Sequence, residues 1–577
     1  MQKKRVSLWA LACALAAMVM MLALAACGDS TKAPVLESRT AFVITTAAPS
    51  EASEGVQYKY IIGTTDLTFT SFQLGRAPQN ASLGGNVLLW TPTEEQARVG
   101  NDFELRATHT STGTTVTQWW TVAPRGTVKV TMSNTHITNA GDRVMAATPS
   151  GTLYASSGSG DYTPVEGVVA DGIAVYSYIP AGYYWFKVRE GSWCWTDKST
   201  IDLGTSILGR PDVQRPTKTT KLEFDLSGLS PWDQNLYVGP TYYDELVWFV
   251  PNAGVHASFY PLAAAGATSL HTTSEASYWA LSDASKGDEA YLYQMVNDTV
   301  STYPVRQIVA FAKVSVTQAD GSTTLVQASL TPPPRDQEWP LNIDGPAFAA
   351  LDFSINPKAT PIVAYPEGMV MARPGGGDLG WVGWTAFLVS YGQLGTGTVA
   401  VAVPYSNPFP SDWLVWWYHS HNAYFQRTVP GTSVNTMMLG QITTSTLKPA
   451  TGAPPLEPIV GPVSNPTING VDFFVDQNNV GVTPKLDWGA PAVGTARGYS
   501  VDVRGWSASA GFNFDSRTVI YTSTNSITLP PGVLLPGRKY VFVIQSVSEP
   551  LGDYGAAPNR WTFPRGTADA ISGFMSP

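Results

Sequence analysis

The triplet His419-Ser420-His421 is the most metal-like stretch of this chain, because alternate residues of a β-strand share a face and both imidazoles would point the same way. A catalytic zinc needs a third protein ligand. The other histidines, His109, His136, His256 and His271, are scattered with no spacing that nominates one. The pair lies in "WLVWWYHSHNAYF", so the competing reading is a strand leaving the core into a polar turn; His419 and His421 stay as metal candidates beside it. Gly375, Gly377 and Gly380 have the spacing of a dinucleotide loop, yet "WVGWTAFLV" follows and reads as strand, which leaves no helix N-terminus to cradle a pyrophosphate. Gly-x-Ser-x-Gly, His-Glu-x-x-His and phosphate-loop motifs are missing, and the sparse carboxylates nominate no pair for glycosidic acid-base work. The sequence assigns no catalytic residue and no cofactor.

Aromatic clusters are the second source of binding chemistry: Trp119-Trp120, Tyr183-Tyr184-Trp185, and Trp413 with Trp416-Trp417-Tyr418. On strands, successive members must face opposite sides. Exposed rings stack on sugars or peptides, whereas buried ones fill a sandwich interior. The core reading is favoured, with Trp413, Trp416 and Trp417 kept as candidate ligand-binding rings for a carbohydrate or protein partner.

The elements that would carry these residues follow from composition. Charged residues make up 14% of the 577, aromatics reach 11%, and there are 52 Gly and 43 Pro, a mixture that favours strands and turns over helices. The length calls for about three to five domains. A net charge of -9 without basic blocks gives no footprint for nucleic acid. Of the three cysteines, Cys13 lies in an apolar leader, Cys27 ends it, and Cys194 in "SWCWT" reads as a small buried hydrophobe.

Lys3, Lys4 and Arg5 precede an apolar run from Leu8 to Ala26, which is the pattern of a secretory signal. Its end, Leu24-Ala25-Ala26-Cys27, resembles the lipobox of bacterial lipoproteins: an aliphatic residue, two small residues, then cysteine. That resemblance implies a signal peptide over 1–26, cleavage before Cys27, lipid on its thiol, and a tether over 27–38. Two or three acyl chains anchor a protein durably to a membrane. The competing reading is an uncleaved membrane-spanning anchor, since the run approaches spanning length. Gly28 follows the cysteine where inner-membrane lipoproteins often carry Asp, so the resemblance implies the outer membrane, facing either the periplasm or the cell surface.

The remainder reads as all-β, a series of β-sandwiches. Over 39–124, Glu54, Gly55, Tyr58, Tyr60, Pro78, Trp90-Thr91-Pro92, Gly100, Trp120 and Val122 stand where the cadherin-like Ig domains of bacterial surface proteins carry their framework, and the segment resembles that family. Its calcium-binding members have Asp-rich loops; here only Asp66 stands in the corresponding loop, so no calcium site is carried over. Residues 125–215 form a second sandwich, in which "IPAGYYWFKV" is similar to the turn of carboxypeptidase-regulatory-like and transthyretin-like modules. Residues 216–450 read as β throughout, one or two domains interrupted at "TPPPRDQEWP". A Pro-rich linker covers 451–466. Across 467–550, Trp488, Gly498-Tyr499, Leu529 and Tyr540 match the core tryptophan, strand start, leucine and tyrosine corner of a fibronectin type III domain, which the segment resembles; 551–577 is a tail. The expected function is noncatalytic binding, spacing or adhesion at a bacterial envelope. The alternative is an envelope hydrolase with its site in 216–450, which a cluster converging on His419 and His421 would favour.

Overall fold

A computed structural model describes residues 41–577 except 157–160, 234–243, 261–262, 360–361, 376–384, 393–394, 449–453, 508–513, 551 and 561. Residues 1–26, Cys27, the tether 27–38, Gly377 and Gly380 therefore lie outside the described residues. The chain is an all-β protein of sandwich type, arranged in two compact units. One contains 41–49, 59–90 and 102–120; the other contains 50–58, 91–101 and 121–577. No helix among the described residues is long and apolar enough to cross a membrane.

The smaller unit is held by rings from two three-stranded sheets. Trp90 on strand Val87–Trp90 is 1% exposed and meets Phe103 of strand Asn101–His109 edge-on at 5.3 Å, while Phe103 stacks on Trp120 at 4.9 Å. Alternation turns the neighbouring Trp119 outward, 60% exposed. The lone Asp66 faces His109 Nε2 at 3.5 Å.

The larger unit joins seventeen strands into one hydrogen-bonded ladder. Its first sandwich packs Val128, Val130, Tyr184, Phe186 and Cys194 together, and burial pushes the Cys194 thiol up to about 12. The next places strand Lys221–Ser227 between Ser269–Glu275 and Thr323–Ser329, opposite strands Glu245–Val250, Ala290–Val300 and Tyr303–Val314. Glu245–Val250 is buried at all six positions because residues on its other face enter a second core, shared with 337–448. Hence its continuous apolar run rather than an alternating one.

Three segments differ from the sequence expectation. Residues 216–450 are not wholly β: Asp344 caps helix Gly345–Ala349 by accepting a bond from the Ala347 N–H, with Pro in its first turn, and Asp352–Ile355 forms another short helix. The segment 451–466 is no free linker in its described part, since Leu456 exchanges backbone hydrogen bonds with Asn342 and Asp344, and Leu456, Val460 and Val463 are buried. Nor is 551–577 a tail: strand Arg565–Ser576 is buried at every position but its two ends. It pairs with Tyr540–Ser548 on one side and Asn435–Leu447 on the other, and strand Phe514–Thr522 pairs in parallel with Ser192–Thr196. The C-terminal sandwich is thus built into the ladder rather than strung on its end.

Within that sandwich Trp488 is 4% exposed and lies edge-on to Tyr499 at 5.3 Å. Five residues upstream of Tyr540, the Leu535 backbone N–H donates to the tyrosine hydroxyl at 2.8 Å.

Candidate functional site

Strand Leu414–Thr428 separates two chemistries by alternation. Trp417, His419 and His421 face the core, and Trp416 and Tyr418 face the other way. Neither histidine leaves the core: His419 is 1% exposed and His421 0%. "YHSHN" looks polar in sequence, but residues 344–355 fold over it. His419 Nδ1 is 2.5 Å from the Tyr391 hydroxyl, His421 Nε2 is 2.7 Å from Asp352 Oδ1, and Phe348 lies against both rings at 4.5 and 5.9 Å. Burial, with His421 beside it, pushes the His419 pKa down to about 3, so this imidazole is neutral in the folded chain. Among the described residues no group of three or more His, Cys, Asp or Glu is placed to hold a metal.

Trp413 and Trp417 are core rings, 7% and 2% exposed. Trp416, 2% exposed, packs on Phe563 at 5.2 Å and forms the floor of a groove on the outer face. This cavity of about 490 Å³ takes one alternating face from each of five strands. Val363–Arg373 supplies Glu367, Met369 and Met371; Leu414–Thr428 supplies Trp416 and Tyr418; Asn435–Leu447 supplies Gln441, Thr443 and Ser445. Arg565 and Thr567 come from Arg565–Ser576, and Gln545 from Tyr540–Ser548. The register sets Met369 opposite Tyr418, Tyr418 opposite Ser445, and Ser445 opposite Arg565, so the side chains run in rows across the strands. At about 4.8 Å per strand, five strands span about 19 Å.

Hydrogen bonds beneath the groove fix its polar groups. Gln545 Nε2 donates to Asp569 Oδ1 at 2.9 Å, and Gln441 Nε2 donates to Asn422 Oδ1 at 2.7 Å. With one N–H of each amide so engaged, each glutamine keeps its Oε1 and its second N–H for a further partner. Thr443 and Thr567 share a hydroxyl contact of 2.7 Å. Burial raises the Asp569 pKa, and the Gln545 amide and Gln441 backbone N–H it accepts from act against that shift.

Behind Arg565, the Glu549 carboxylate is 1% exposed and lies 3.6 Å from the guanidinium Nε. Burial pushes its pKa up to about 7 against the pull of Arg565. A raised folded pKa favours folding at and below the unfolded value of 4.5, and that contribution is lost as pH rises through about 7. Glu549→Gln is therefore expected to gain stability relative to wild type near pH 8 and to change it little near pH 4.5. Urea denaturation at both pH values checks this; an equal shift at both contradicts it.

Of the aromatic cluster named from sequence, the structure brings Trp416 and Tyr418 to this groove. Glu367, Met369, Gln441, Gln545 and Arg565 carry no sequence expectation as a site. The available signal was alternation in "EGMVM", "WWYHS" and "QITTS", whose outward positions are large or polar rather than uniformly short and charged.

No family model matches the chain, and no curated protein matches it. Among solved structures it is similar to the N-terminal four Ig domains of Dscam1 isoform 9.44, with 9% identity over 50% of this chain and 73% of that one, at a TM-score of 0.12. It is also similar to SGBP-B of the Bacteroides ovatus mixed-linkage glucan utilization locus, in complex with a mixed-linkage heptasaccharide. That match has 10% identity over 66% of this chain and 93% of that one, again at a TM-score of 0.12. The sandwich assignment rests on the chain's own sheets and not on these likenesses.

Proposed function

We propose that this chain is a noncatalytic, lipid-anchored protein of a bacterial outer membrane whose β-sandwich modules, cadherin-like at the start and fibronectin type III at the end, hold a glycan-binding groove. The observation that carries the binding reading is the groove itself. A half-buried tyrosine ring beside a methionine thioether offers an apolar platform for the C–H face of a sugar, and two oriented amides with neighbouring hydroxyls match its O–H groups. Hydrolysis of a glycosidic bond ordinarily requires two carboxyl groups flanking it. Glu367 is the sole carboxylate lining this cavity among the described residues, and the histidines face the core. Among the described residues no cluster converges on His419 and His421 to favour the hydrolase alternative.

Affinity electrophoresis against a panel of soluble neutral and acidic polysaccharides tests the binding reading. At least one should retard the wild-type chain, and Tyr418→Ala should weaken that retardation about tenfold or more. Equal retardation of both proteins would place binding elsewhere.

The anchor rests on the lipobox and the basic, apolar leader. A Cys27→Ser chain is expected to lose incorporation of labelled fatty acid and to move from the membrane to the soluble fraction. Unchanged labelling rules out Cys27 as the acceptor.

A further inference from the structure

The outer face of the ladder continues past Gln545. That residue also lines a second cavity of about 440 Å³, together with Arg189, Ser192, Ser500, Arg517 and Tyr521. Ser500 stands opposite Gln545 on one side and Tyr521 on the other, and Val519, next to Arg517 in the wall, pairs with Ser192 of the first sandwich of this unit. From strand Val363–Arg373 to strand Phe514–Thr522 the shared face crosses seven strands, about 29 Å.

The two ends differ in charge. In the second cavity Arg189 has no ion pair with an acid among the described residues. Arg517 Nε and Arg504 Nε both rest on one oxygen of Asp502, at 3.0 and 2.9 Å, so two guanidiniums share one carboxylate. The Arg517 side chain is still 68% exposed. Glu190 in the same wall is offset by Lys187 at 2.6 Å. A local excess of cationic charge therefore stands at one end of a groove in a chain whose net charge is -9. Guanidinium forks match carboxylates bidentately, whereas the Tyr418 end carries stacking and amide groups with one carboxylate, Glu367, and one guanidinium, Arg565, in its wall.

We infer that the groove takes an extended acidic polysaccharide, with uronate carboxylates at Arg189 and Arg517 and a sugar ring on Tyr418. This rests on the glycan reading of the Tyr418 groove. The track runs across the strands, whose backbone groups are already paired in the ladder, so an extended peptide finds no strand edge there to extend.

The test uses the full chain, with polygalacturonate and alginate as acidic probes and xyloglucan and pullulan as neutral ones, in affinity electrophoresis. The acidic probes should retard the wild type more strongly than the neutral ones, and about 0.5 M NaCl should reduce that retardation several-fold. Arg189→Gln should weaken it about three- to tenfold, and Arg189→Gln with Arg517→Gln further. Because Arg517 also pairs with Asp502, the single Arg189→Gln variant guards against a folding defect. If the arginine variants bind like wild type while Tyr418→Ala fails to bind, the acidic inference falls and the groove reading stands. If Tyr418→Ala binds normally, or no probe retards the wild type, both fall.

Discussion

Trp488→Ala, made in the full chain, is expected to cost about 3–5 kcal/mol, the range for emptying a large buried ring position. Trp488 sits in one core with Ile468, Leu486, Tyr499, Ile527 and Phe542, and its ring meets Tyr499 edge-on. Tyr540→Phe should cost less. It removes the acceptor of the Leu535 N–H, a net loss of about 0.5–1.5 kcal/mol, with more if that donor finds no water. The full chain is required because two strands of this sandwich pair outside it, Arg565–Ser576 with Asn435–Leu447 and Phe514–Thr522 with Ser192–Thr196. An isolated 455–577 fragment would expose both edges. Urea denaturation decides the matter: if both variants unfold at the wild-type midpoint, the core placed around Trp488 is wrong.

A second large effect is expected at a buried ion pair on the face of strand Glu245–Val250 that turns toward the core shared with 337–448. Arg306 Nη2 lies 2.6 Å from Glu245 Oε1, with the side chains 7% and 1% exposed, and the Tyr260 hydroxyl donates to the other carboxylate oxygen. Arg306→Ala leaves a buried carboxylate uncompensated and should destabilise the chain by about 3–5 kcal/mol. Replacing both partners, Glu245→Leu with Arg306→Met, should recover most of that loss, because the desolvation cost of two charges disappears with them. A midpoint for Arg306→Ala within about 0.5 kcal/mol of wild type would mean that water reaches the pair.

Local rules were legible in the sequence where the structure depends on them. Trp488 is buried and Tyr540 accepts from the Leu535 N–H, and both roles are set within one sandwich. Alternation correctly required Trp416 and Trp417 to face opposite sides. The burial of the histidines is non-local and so has no signature in their own stretch: Asp352 lies 69 residues before His421, and Tyr391 lies 28 before His419. The proline-rich segment looked like a linker by composition, yet its occasional Leu and Val side chains find cores to enter. Alternation marks the outward positions, but the groove itself is not local, since five strands between Val363 and Ser576 contribute one to three residues apiece and only their pairing order brings those residues together. Gln441 and Gln545 are ordinary exposed-face residues until Asn422 and Asp569 fix their amides.

The most direct test of the central claim is a crystal structure of the chain with an oligosaccharide cut from whichever polysaccharide retards it most. The sugar should be intact, with one ring against Tyr418 and hydroxyls within hydrogen-bond distance of Gln441 Oε1 and Gln545 Oε1. Density for the sugar at another surface, or for a cleaved product in the groove, would contradict a noncatalytic glycan site there.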